Sequence, residues 1–230
     1  MNLLETFLKG GFVMWPILIC SLLTVYVIVE RYLVLRKAAL DMGEFMRKLR
    51  SLFHRGEFSA VQAFCEEKDA PIANIIARGI AKHAQGPEKV KEAIENAGRE
   101  EVYHLEKRLS LLASLSGIAP MLGFLGTVTG MIAAFHAVET NNGVVSPADL
   151  AGGVWEALLT TAFGLGVGIP ALAFYNWFVT MVGKFVHEME VTSTEFIDML
   201  EGAELAPKRT EKKQTAPAQG EDDDYFRRKG

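Results

Sequence analysis

The chain has 230 residues, half of them hydrophobic, with a formal net charge of −4. That balance suits a protein divided between membrane and water and gives no support to nucleic-acid binding. Two distant cysteines and five scattered histidines exclude a disulfide framework and a zinc site.

Three long runs are free of Asp, Glu, Lys and Arg, in chain order 10–29, 109–138 and 157–183, and residues 1–11 are read as a short external leading segment. A helix needs about 20 apolar residues to cross the hydrocarbon core, so each run is long enough to span. Arg31, Arg36 and Lys37 follow the first run rather than precede it, and no small-residue cleavage site stands before them. That is the reverse of a secretory signal and predicts an uncleaved anchor with its N-terminus outside. Fourteen Lys and Arg lie in 36–108 and eight after residue 183, against none in 139–150. The positive-inside bias therefore puts the long loop and the C-terminus in the cytoplasm.

The expected organisation is an all-α membrane protein with three transmembrane helices, long helices extending into the cytoplasm and a large helical cytoplasmic loop. Its spans are placed at 12–35, 109–138 and 151–183. A cytoplasmic helical domain occupies 36–108, an external loop 139–150 and a cytoplasmic helix 184–206. Within 36–108, apolar residues recur at helical spacing from Phe45 to Phe53, and again from Phe58 to Cys65 beyond Gly56. Asp69-Ala70-Pro71 and Gly86-Pro87 mark turns. From Pro87 the pattern runs into the second span with no evident stop and predicts one continuous helix from cytoplasm into membrane. The segment 207–230 is poor in apolar residues and alternates charge blocks, which predicts disorder.

The spans carry small and polar residues in a pattern. Ala119, Gly123, Gly126, Gly130 and Ala134 recur every three or four residues, and Gly164 and Gly168 repeat the spacing in the third span. Such stripes allow close helix contact in lipid, within a chain or between copies. Pro120 and Pro170 each remove a helical hydrogen bond and invite a kink. Thr127 and Thr161 fall near mid-membrane, where a threonine either satisfies its own backbone or lines a polar path. Glu156 opens the third span, either as a functional carboxylate facing protein or water or as a cap at the boundary. Thr160 lies beside it. No ionisable residue lies at the centre of any span, so this chain either conducts nothing or depends on a carboxylate from another subunit. No catalytic set, nucleotide loop or metal-ligand set is expected, and the chain is read as a non-enzyme.

The stretches GTVTGM, beginning at Gly126, and EALLTTAFGL, beginning at Glu156, resemble the ExbB/TolQ/MotA proton-channel family. Three spans with a large first loop resemble its ExbB and TolQ branch. The resemblance implies a bacterial inner-membrane homo-oligomer, a pentamer, whose second and third helices line a pore. It implies a single-span ExbD-like or TolR-like partner bearing a membrane aspartate, a TonB-like or TolA-like protein that carries the work onward, and no cofactor beyond a transported proton. Thr127, Thr161 and Glu156 take the proton-pathway positions, with Thr160 a candidate beside the pore. A TolQ-like role in envelope integrity and a non-conducting oligomeric scaffold stand as alternatives.

Overall fold

The structure, a computed structural model, describes residue 7 and residues 9–140 and 146–205. The leading residues, the tip of the loop between the second and third spans, and the tail 207–230, for which disorder is expected, lie outside the described residues. Seven α-helices make up the described fold, and no strand occurs among the described residues. They are α1 (Met14–Ala38), α2 (Met42–His54), α3 (Phe58–Glu67), α4 (Pro71–Ile80), α5 (Pro87–Glu106), α6 (Leu109–Thr140) and α7 (Pro147–Leu205). Three helical stretches, in α1, in α5 continued by α6, and in α7, are long and apolar enough to cross a membrane.

The local signals are those of ordinary helix punctuation. The Asp41 side chain accepts a hydrogen bond from Glu44 N at 3.0 Å, capping α2. Pro71 and Pro87 open α4 and α5, where a missing N–H removes no helical bond. Gly56 (φ 73°) and Gly86 (φ 96°) take left-handed conformations that let the chain reverse between helices.

These short helices pack on the far half of α7. One apolar core joins Phe45, Leu49 and Phe53 of α2, Val61 and Cys65 of α3, and Ile72 and Ile76 of α4 to Met189 and Phe196 of α7. Phe53 meets Phe196 edge to face at 5.9 Å, and Phe45 stacks on Phe64 at 5.5 Å. The third span and the helix expected to follow it are one uninterrupted 59-residue rod. At 1.5 Å per residue it is about 90 Å long and ties the apolar span to the bundle of short helices.

Burial in this core pushes the Cys65 thiol up to about 12. The reactive thiolate is therefore scarce at pH 8 in the folded protein. Iodoacetamide is expected to leave Cys65 unmodified in the native state and to alkylate it once the bundle is unfolded; rapid native labelling would contradict its burial.

The expected continuous helix from Pro87 into the second span is broken. Lys107 is extended (ψ 134°) and Arg108 is left-handed (φ 65°), an unfavourable conformation for a residue with a Cβ. Contacts from α1 hold the break. Arg31, only 3% exposed, donates to the carbonyl of His104 at 3.2 Å and approaches that of Leu105 at 3.5 Å. These are carbonyls that the end of α5 leaves without helical partners. Glu30 receives Arg31 Nε at 2.6 Å and Arg108 Nη1 at 2.9 Å, and Arg108 also donates to the Tyr26 hydroxyl at 3.2 Å.

Candidate functional site

The small residues of the second and third spans meet each other inside one chain. α6 and α7 run antiparallel, and their glycines interlock along the whole contact. A Cβ added to Gly164 would lie 2.6 Å from Ala119 O and 3.0 Å from Gly123 Cα. One on Gly123 would lie 2.9 Å from Thr160 O, and one on Gly130 2.6 Å from Gly153 O. Gly126 makes room for the Thr160 side chain, and Gly168 for the ring of Pro120. Backbone-to-backbone approach of this kind is what small residues permit in lipid, where dispersion and close fit replace the hydrophobic effect. Pro120 and Pro170 both lie inside continuous helices.

α1 covers one flank of this seam. It runs alongside α7 in the same direction, with Met14 and Ile17 against Leu122, Phe163 and Val167, and Cys20 against Leu115 and Ala119. Glu156 lies on this covered flank. Its carboxylate rests against Gly11, in the turn leading into α1, and Gly11 takes φ 68°. A carboxylate at the start of a helix is favoured by the helix dipole, so this contact suits an anchor for the head of α1.

Thr127 and Thr161 lie on the other flank. At 100° per residue, Thr161 is about 160° round α7 from Phe163, and Thr127 is about 140° round α6 from Leu122, the residues that meet α1. The Thr161 hydroxyl lies 3.2 Å from both Gly123 O on α6 and Ala157 O on its own helix, to either of which it donates. Thr127 Oγ1 donates to Phe124 O at 2.6 Å. It stands at one end of an exposed face of α6 that continues through Met131, Phe135, His136 and Glu139. Thr160 is fully buried, donates to Glu156 O or Ala157 O at 2.9 Å, and fills the seam at Gly126. Its place is in the helix contact rather than on either flank.

Within one chain the site residues therefore separate. Thr127 and Thr161 share a flank, Thr160 and the glycines form the seam, and Glu156 stands across it. Sequence reading missed Gly153, although Gly153, Ala157, Thr160, Gly164 and Gly168 recur at helical spacing and match the stripe on α6. It also missed Glu30 and Tyr26 as partners of Arg108, and Arg31 as the donor to the His104 carbonyl. Among the described residues no cluster of His, Cys, Asp and Glu is arranged to hold a metal ion.

Comparison with known proteins gives consistent matches. The family model of the MotA/TolQ/ExbB proton channel family matches residues 67–191. An ExbB-like biopolymer transport protein of Synechocystis sp. is 27% identical over 210 residues, covering 88% of this chain and 100% of the relative. Biopolymer transport protein exbB1 of Vibrio cholerae is 32% identical over 168 residues, covering 71% of this chain and 73% of the relative. The solved structure of C. jejuni MotAB superposes with a TM-score of 0.62 at 16% identity, covering 88% of this chain and 79% of that one, a likeness of fold.

Proposed function

Because the chain belongs to the MotA/TolQ/ExbB proton channel family, we propose that it is an ExbB-like stator subunit of an inner-membrane, proton-driven motor that energises TonB-dependent transport. The observation that carries this reading is the flank holding Thr127 and Thr161. α1 leaves it uncovered, it is polar near mid-membrane, and it has no central carboxylate of its own. Copies of the chain, five in the proposed assembly, would turn these flanks inward around a single-span ExbD-like partner whose aspartate takes up and releases the proton. The threonine hydroxyls would hydrate and hydrogen-bond that aspartate in its two charge states. Glu156 would act from the covered flank, by fixing α1 and shaping the local field. A proton falling through 100 mV releases about 2.3 kcal/mol, a modest step that repeated transfers accumulate.

Thr161→Val tests the mechanism. Valine keeps the shape and removes only the hydroxyl, and Gly123 O and Ala157 O remain available as helical acceptors. The expected result is normal assembly with loss of gradient-driven uptake, and recovery in Thr161→Ser. Unchanged uptake in the valine variant would remove Thr161 from the pathway. Purification of the complex is expected to retain a small single-span protein with a membrane aspartate. An oligomer without such a partner would favour the non-conducting scaffold.

A further inference from the structure

The cytoplasmic end of the molecule carries an open groove that the channel reading does not use. It lies between α5 and the last turns of α7 and encloses about 750 Å³, a volume typical of ligand sites. Its floor is apolar, built from Ile94, Val102, Met189 and Ile197. Its two walls differ in charge. Lys91 and Arg99 stand on the α5 side, with Glu95 between them, and Glu190, Asp198 and Glu201 on the α7 side. Among the described residues, none of these six side chains takes part in an ion pair.

The chain itself contains a segment with the matching order of chemistry. Asp222, Asp223 and Asp224 are followed by Tyr225 and Phe226, and then by Arg227, Arg228 and Lys229. An acidic block, an aromatic pair and a basic block correspond in turn to the cationic wall, the apolar floor and the acidic wall. We propose that residues 222–229 seat in this groove of their own chain, with Tyr225 and Phe226 on the floor. Two aromatic side chains bury about 150–250 Å² each, the largest apolar contribution a short segment can bring. The tether reaches. Tyr225 is 20 residues beyond Leu205, the end of α7. A chain of that length spans at most about 65 Å and, as a random coil, about 25 Å. From Val186 to Glu201 the groove runs about 22 Å along α7. Tethering also makes the event intramolecular, so a weak contact is populated without a high protein concentration.

The test uses the full chain in its membrane complex. A photoreactive p-benzoylphenylalanine replaces Phe226, and the probed chain is expressed with an excess of an unprobed copy bearing a distinguishing tag. After illumination, peptide mapping is expected to show a link within the probed chain, to α5 or to the part of α7 from Met189 to Glu201. A link to the tagged copy would overturn the proposal in favour of a groove filled by a second copy. A link elsewhere, or none, would also overturn it. The double variant Glu190→Lys, Asp198→Lys changes only exposed side chains. It is expected to lower the yield of the link by roughly fivefold, as loss of two exposed ion pairs would. Adding Arg227→Glu and Arg228→Glu should restore it, and failure to restore it would count against the pairing.

Discussion

Gly164→Ala is expected to lower the thermal midpoint of the purified protein by roughly 5–10 °C, the scale set by an overpacking cost of about 2 kcal/mol or more in a chain of this length. The added methyl would lie 2.6 Å from Ala119 O and 3.0 Å from Gly123 Cα. Both are backbone atoms of α6 and no rotamer change can move them away, so the two helices must part. Parting also draws Thr161 Oγ1 away from Gly123 O, so the stability loss should come with weakened gradient-driven uptake. Alanine's better helix propensity offsets less than about 1 kcal/mol. Gly183→Ala is the control. Nothing lies within 4 Å of a Cβ at Gly183, and that variant should gain slightly or stay level. Differential scanning fluorimetry of the two proteins decides the matter: equal midpoints would mean that the seam is looser than its geometry states.

Arg31→Met should cost about 3 kcal/mol, read as a fall in thermal midpoint and as faster amide exchange from residue 105 to 112. The side chain is a charge held at 3% exposure, and its hydrogen bonds have no substitute. Its loss strips His104 O of its donor and leaves Glu30 with Arg108 alone. Losing hydrogen bonds made by a charged group costs about 1.5–3 kcal/mol, and breaking a buried pair by removing one member costs more. Arg31→Lys should recover part of the loss, because a single ammonium keeps the charge but cannot reach Glu30 and the α5 carbonyls together. Exchange unchanged in the methionine variant would show that the break at Lys107 and Arg108 stands without α1.

Much of the fold was legible because the membrane imposes simple conditions. Uncharged runs of sufficient length mark helices, and the small-residue stripe on α6 showed which face would approach another helix closely. Gly56, Gly86, Pro71 and Pro87 marked the joints of the bundle of short helices through their own backbone preferences. What the stripes touched was not legible, since the same spacing serves contact within a chain and between copies. The relation of Glu156 to Thr161 was half legible. At 100° per residue about 140° of helix separates them, but the reason Glu156 faces its flank is the turn at Gly11, remote in sequence.

The sequence by itself determined the class of the protein: three apolar helices long enough to span, and a polar site lacking its own acid. These follow from composition and periodicity, which act locally along the chain. Tertiary structure alone decided three things. It closed the glycine stripes into one α6–α7 seam, laid α1 over the Glu156 flank while leaving Thr127 and Thr161 uncovered, and broke the helix at Arg108. No glycine or proline marks that break. A left-handed arginine is unfavourable on its own backbone terms, and it persists because Tyr26, Glu30 and Arg31, more than 70 residues earlier in the chain, bind the groups that the break exposes.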